Sequence, residues 1–153
     1  LSSPQKLLKT DDKTLAALIK PAGYYNVKTV RIKNFLKYLD SKYGSSLGKM
    51  ARQETDKLRR ELLAVNGIGP ETCDSILLYA FNRPIFVIDA YTKRIFTRHG
   101  MISDDLKYDD IQKLFMRSLP SDHEIFNEYH ALIVRLGKEY CKSREACELC
   151  PLK

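Results

Sequence analysis

No stretch of the 153-residue chain is apolar for anything near the about 20 residues that a membrane-spanning helix requires. The opening LSSPQKLLKTDDK has no apolar core of the kind a secretion signal carries. Internal repeats, low-complexity tracts and linkers rich in glycine or proline are also missing. These absences set aside a helical membrane protein, a repeat array and a string of tethered modules. They lead to the expectation of a cytoplasmic protein with no membrane partner. Cysteine is scarce at four residues, yet three of the four crowd together as Cys141, Cys147 and Cys150. In a reducing compartment such a cluster reads as a metal-ligand set rather than as disulfides. The chain opens at Leu1 without a methionine and stops at Lys153 just after these cysteines, so both ends are expected to have been cut.

What is present is a folding composition, 44% hydrophobic, long enough for one core or two small lobes. The formal charge of +7 fits an anionic partner such as a nucleic acid and is equally compatible with solubility alone. Apolar residues recur at helical spacing, as in Leu15, Leu18 and Ile19, then Val30, Phe35, Leu36 and Leu39, then Leu58, Leu62 and Leu63. The expected fold class is therefore all-α. Thr10 or Asp11 is placed to cap a first helix that Pro21 and Gly23 end. Further helices are predicted over residues 26–43, 53–64, 70–81, 90–98, 108–118 and 123–140. Asn82, Arg83 and Pro84 break the helix at 70–81, and Gly100 and Pro120 separate the last three. Ile85, Phe86, Val87 and Ile88 are too short a run for a helix and have no partner strand in view. They predict a buried extended connector.

The densest chemistry lies in LAVNGIGPETCDSILLYAFNRPIFVIDAYTKR, residues 63–94. Pro70 suits a first helical position, so the amides around Gly67, Ile68, Gly69, Glu71 and Thr72 form a helix mouth that favours an anion. Glycine lets a phosphate approach the backbone without a Cβ in the way. Together with Arg59 and Arg60, such a mouth would hold a nucleic-acid backbone without reading its sequence; the plainer reading is a tight helix corner. Asp89 sits at the mouth of the next helix, where it is either an N-cap or a working carboxylate. Lys93, Arg94 and Arg98 follow it, as phosphate contacts or as ordinary surface charge.

Taken together, these residues resemble the helix-hairpin-helix plus Gly/Pro-Asp signature of the endonuclease III-like DNA glycosylases. The likeness runs from about Gly23 to Cys150, and GIGPETCDSILLYA with VIDAY looks most like the 3-methyladenine glycosylase branch. It implies a helical barrel lobe, a second helical lobe bearing the cysteines, and a groove between them holding Asp89. On this likeness residues 1–20 begin a truncated lobe. Residues 21–98 form the barrel lobe, with the helix-hairpin-helix at 54–81 and the aspartate loop, and residues 99–153 form the second lobe. The implied partner is double-stranded DNA with a damaged or mismatched base, bound by a monomer that would associate with the nucleoid in a prokaryote. A damaged nucleotide would be extruded, and Asp89 would stabilise the oxocarbenium-like sugar while water displaces the base. The hairpin carbonyls would also hold a monovalent cation.

Two departures from the family pattern matter. Its bifunctional members form a Schiff base through a lysine two residues after the second hairpin glycine, where this chain has Glu71. A carboxylate cannot form an imine, so the resemblance implies monofunctional base removal, and Glu71 reads as a stabiliser of its helix N-terminus. The alternatives are a bifunctional glycosylase and abasic-site lyase, or a helix-hairpin-helix module that binds DNA without catalysis. The second departure is the spacing Cys141-x5-Cys147-x2-Cys150, one residue shorter in its first gap than the family's 4Fe-4S pattern, with a fourth cysteine expected beyond Lys153. Zinc is the chemical alternative. Cys73, inside a helix, reads as a small buried residue. Lys142 and Arg144 lie in the cysteine loop, facing phosphate or only solvent. Tyr24, Tyr25, Asn26 and Lys28 resemble the family's entry segment, with the tyrosines expected in the core. His130 reads as a packed or capping residue, and His99 and His123 show no metal spacing. Nothing before Leu7 resembles the family's glutamine-bearing loop that fills the gap left by a flipped base.

Overall fold

The computed structural model describes residues 3–142, 144 and 147–153. Helix follows helix, and among the described residues no strand interrupts them. The chain divides into two compact units, Leu1–Gly69 and Pro70–Lys153.

The first unit carries α1 (Pro4–Lys9), α2 (Asp12–Leu18), α3 (Tyr25–Tyr43), α4 (Leu47–Ala51) and α5 (Thr55–Leu63), with a 3-10 turn at Lys20–Ala22. Most starts follow from local chemistry. The side chains of Ser3, Asp11, Ser46 and Glu54 accept hydrogen bonds from the first free amides of α1, α2, α4 and α5. The pattern expected one helix before Pro21. Ser3 and Pro4 add a separate α1, and Asp11 rather than Thr10 caps the helix after it. The short α4 was not legible because five residues are too few to show a period. Helices α1 and α2 pack along α3, and Leu15, Leu36, Leu39, Met50, Leu58 and Leu62 are buried. Each such side chain contributes about 1.5–3 kcal/mol by leaving water.

Two polar anchors tie this unit together. Lys33 on α3 donates to Leu8 O at 2.7 Å and to Thr10 O, closing the otherwise open carbonyls between α1 and α2. Glu61 on α5 accepts from Tyr38 Oη at 2.9 Å and Tyr43 Oη at 2.5 Å and pairs with Lys42 Nζ at 2.7 Å. Burial disfavours the Glu61 carboxylate, but Lys42 and the two phenols outweigh it and hold its pKa down at about 2.

In the second unit, α6 (Pro70–Ser75) runs without a break into a π-helical turn, Ile76–Ala80. Asn82 in the left-handed region (φ 53°) then ends the helix, and the Arg83 amide bonds to Leu77 O at 2.9 Å. The connector that follows is extended and buried, with Phe86, Val87 and Ile88 at 0%, 1% and 4% exposure, as the sequence led us to expect. It leads into α7 (Ala90–Arg98), α8 (Tyr108–Ser118) and α9 (His123–Glu139), and a 3-10 turn at Cys147–Leu149 follows.

Phe86 stacks on Phe115 with centroids 4.3 Å apart and meets Phe126 edge-on at 5.4 Å. Because the connector has no sheet partner among the described residues, its backbone needs side chains. Gln112 Nε2 donates to Phe86 O at 2.6 Å and to Asp74 Oδ2 at 2.7 Å. Tyr108 Oη donates to the same Asp74 oxygen at 2.9 Å. Helix α9 closes on α7 at Gly137, where an added Cβ would lie 2.3 Å from the Tyr91 ring. Arg94 locks that contact by donating to Gly137 O at 3.1 Å and Cys141 O at 2.8 Å.

Gly137→Ala should lose about 1–3 kcal/mol of stability from overpacking, against a helix-propensity gain of at most about 1 kcal/mol, as read by urea denaturation. Glu61 carries a pH signature as well. Its folded pKa lies below its ordinary value of 4.5, so the stability it contributes is present above about pH 4.5 and is lost as pH falls toward about 2. Glu61→Gln should flatten that part of the stability profile in denaturant titrations run from pH 6 down to 2.

Candidate active site and nucleic-acid interface

Asp89 divides its two carboxylate oxygens between two tasks. Oδ1 caps α7, accepting from the Thr92 amide at 2.7 Å and from Thr92 Oγ1 at 2.8 Å. Oδ2 stands outside the cap, 3.5 Å from His130 Nε2 on α9. The capping and functional readings of Asp89 are thus compatible, because the cap uses one oxygen only. Burial opposes ionisation of this carboxyl, but His130 and the two Thr92 donors outweigh it and hold the pKa below the usual carboxylate range. The chain therefore presents an ionised acid, 11% exposed at its side chain, at a helix mouth.

Glu71, on the first turn of α6, shifts the opposite way. Burial raises its pKa, the Asp89 charge adds to the effect, and His130 opposes it. The unit thus pairs one acid that ionises readily with a second held more protonated. Thr72 is exposed beside Glu71, whereas Cys73 is fully buried, as expected of a small core residue.

In the first unit the hairpin glycines have different reasons to be glycine. Gly67 has φ 94°, and a Cβ there would lie 2.4 Å from Arg31 Cγ, so its own fold demands it. Gly69 lies outside the left-handed region, and a Cβ there would meet nothing within 4 Å. Between them, the Ile68 side chain is buried and its amide closes a turn on Val65 O at 3.0 Å.

The cations after Asp89 separate as well. Lys93 ends 3.8 Å from the exposed Asp104, a loose pairing, while Arg94 is engaged with the end of α9. Arg98 Nη1 donates to Lys142 O at 2.5 Å and approaches Cys141 Sγ at 3.3 Å. Cys141, Cys147 and Cys150 line one cavity of about 160 Å³ with Arg98, His99, Leu136 and Tyr140. Among the described residues, no group of three or more His, Cys, Asp or Glu is gathered closely enough to hold a metal ion. Residues 143, 145 and 146 of the cysteine loop lie outside the described residues. Tyr24, expected in the core, is 88% exposed at the start of α3.

His130, read from the sequence as a packed or capping residue, takes a place beside Asp89 that emerged only from the structure, as did Tyr79. His130 is buried, and its Nδ1 is hydrogen-bonded to the Tyr79 hydroxyl. The signal for His130 was present in the sequence: it shares the stripe of Phe126, Ile133 and Gly137 on α9, where an imidazole needs a polar reason to be. For Tyr79 there was none, since its direction depends on the π turn.

The fold and this carboxylate define a class before any particular relative: residues 1–121 match the HhH-GPD superfamily of base excision DNA repair proteins, and the chain belongs to that family. Over 150 residues it is 49% identical to a provisionally named DNA repair glycosylase of Methanocaldococcus jannaschii, covering 97% of this chain and 68% of that one. Over 152 residues it is 32% identical to endonuclease III of Sulfolobus acidocaldarius, covering 99% and 65%. The chain spans about two thirds of the length of these relatives. A solved non-covalent complex of endonuclease III with DNA superposes with a TM-score of 0.80 at 24% identity, over 99% of this chain and 67% of that one. The Helicobacter pylori 3-methyladenine DNA glycosylase bound to 1,N6-ethenoadenine gives 0.74 at 24% identity, over 89% and 67%. These two likenesses establish the shared all-α fold.

Proposed function

We propose that this chain belongs to a monofunctional DNA N-glycosylase that hydrolyses the glycosidic bond of a flipped, damaged or mismatched base. The observation that carries the reading is the Asp89 carboxylate: ionised, anchored through Oδ1 to α7, and with Oδ2 left outside the cap. Breaking an N-glycosidic bond puts positive charge on the sugar, and a fixed carboxylate lowers the barrier because it needs no reorganisation as that charge develops. A neighbouring amine would be required for strand cleavage through an imine. At the family's lysine position stands Glu71, and a carboxyl group cannot take that role.

DNA is held, in this reading, through backbone amides at Gly67, Ile68, Gly69, Glu71 and Thr72 and through Lys93. Of these, the Ile68 amide is already committed to Val65 O, so Gly67, Gly69 and the first turn of α6 carry more of the contact. Arg94 serves the junction of α7 with α9. The open space beside Gly69 supports close approach of a phosphate, since nothing among the described residues requires glycine there. Cys141, Cys147 and Cys150 line one cavity but are not gathered as a ready metal site; sulfur is the donor type a 4Fe-4S cluster takes, and in this reading the three would be ligands to one, with a fourth cysteine expected beyond Lys153. Such a cluster would supply a cross-link that pins the loop carrying Lys142 and Arg144.

Asp89→Asn tests the catalytic assignment directly. Asparagine caps helices about as well as aspartate, so stability should change by less than about 1 kcal/mol and duplex affinity should persist. Base release from duplexes carrying 3-methyladenine, thymine glycol, uracil or adenine opposite oxidised guanine should fall at least about a hundredfold. Equal release by both proteins would sink the assignment, and no release by either would leave a DNA-binding module. Borohydride should trap no covalent adduct with the wild-type chain; a trapped adduct would make it a lyase. Gly69→Ala should leave the melting temperature unchanged or slightly raised while weakening duplex binding about tenfold, whereas an unchanged affinity would remove the hairpin from the interface.

A further inference from the structure

Beyond Asp89 Oδ2 the structure continues into two side chains to which base release, as described above, gives no task. His130 Nε2 is fully buried, finds no hydrogen-bond partner among the described residues, and lies 3.5 Å from that oxygen. The other ring nitrogen is paired with the hydroxyl of Tyr79, which stands 44% exposed on the π-helical turn. A π turn takes more residues than an α turn and so re-phases the side chains that follow its start. Tyr79 reaches His130 from such a position.

We infer that His130 and Tyr79 are positioning residues for Asp89: the Tyr79 hydroxyl donates to His130 Nδ1, which places the ring proton on Nε2 and points it at Asp89 Oδ2. The opposite tautomer would set an imidazole lone pair against a carboxylate in a buried site, which is repulsive. The tyrosine hydroxyl is a good donor here, because burial and then the Asp89 charge keep it from ionising. Asp89 is thereby held by Thr92 on one oxygen and faced by His130 on the other, so its orientation is set by α7 and α9 together. Tyr79 also connects the pair to solvent. It lines a groove of about 470 Å³ with His130, Asn127 and Lys138, where a bound nucleotide could reach the outer end of the chain of contacts.

The charged and titratable groups facing this pair come from three helices. Glu71 approaches from α6 and Tyr79 from its π extension. On α9, Arg135 and Glu139 bond to each other at 3.0 Å at the groove's edge, near Lys138. On α7, Arg94 is turned to the end of α9 and Lys93 to Asp104. None of these places a cation on Asp89 Oδ2.

The inference rests on the glycosylase reading for its catalytic meaning but not for its geometry, and the test separates the two. Nitrogen-15 NMR of the wild-type chain at pH 7.5 should find the His130 proton on Nε2; a bare Nε2 would overturn the proposal without any variant being needed. Carbon-13 NMR should then show the Asp89 carboxyl titrating at higher pH in His130→Ala and, by less, in Tyr79→Phe. His130→Gln, whose amide can reach the same place, should restore part of the shift. An Asp89 titration unmoved in both Tyr79→Phe and His130→Ala would also overturn it. If the wild-type chain releases base, kcat should fall about tenfold to a hundredfold in His130→Ala with KM little changed, and the acid limb of its pH profile should move upward. A merely structural role would lower activity without moving that limb. If no duplex yields a released base, the NMR outcomes still decide the positioning while the glycosylase reading falls.

Discussion

An extended segment buried among helices is the constraint from which the rest of the second unit follows. Phe86, Val87 and Ile88 give up water on every side, and among the described residues their backbone has no neighbouring strand to bond with. An unpaired carbonyl there would cost about 1–3 kcal/mol. Gln112 reaches across from α8 to take the Phe86 carbonyl, and Asp74 and Tyr108 hold Gln112 and each other in place. Phe86, stacked on Phe115 and met edge-on by Phe126, then leaves the connector one position, and its exit fixes where α7 begins.

Asp89 inherits that precision. It stands at the first place where the chain can turn from extended to helical, so a capping side chain is needed there whatever else the residue does. Thr92 satisfies that need with two donors to a single oxygen. The remaining oxygen is free to face the histidine that α9 brings in, and Gly137 is what allows α9 to lie close enough to α7. A structural requirement and a chemical opportunity thus share one side chain. The carboxylate's low pKa is a consequence of both, since each oxygen has donors or a partially positive ring before it.

The hairpin shows the same division between what the fold needs and what a ligand needs. Gly67 is demanded by its own backbone angle and by Arg31 pressed against it, whereas nothing among the described residues demands Gly69. Cysteines divide likewise. Cys73 is sealed in the core, and Cys141, Cys147 and Cys150 line a cavity with Arg98. Residue type alone does not distinguish these roles; the surroundings do.

Much of this was legible before any coordinates. The helical period, the prolines and the short Ile85–Ile88 run predicted the principal helices and the buried connector. The resemblance of the segment holding Gly67, Gly69 and Asp89 to a known signature pointed to the family to which the chain belongs. These are local properties, set by the chain's own geometry within a few residues, and so they can be read along it. Helices α1 and α4 escaped because they are too short to repeat a pattern. Tertiary structure alone decided which partners meet: Arg94 with the end of α9, Gln112 with the connector, and His130 with Asp89 on one side and Tyr79 on the other. Those contacts join residues as many as 51 apart in sequence. Their pairing depends on how helices pack and on one widened turn, neither of which any local pattern encodes.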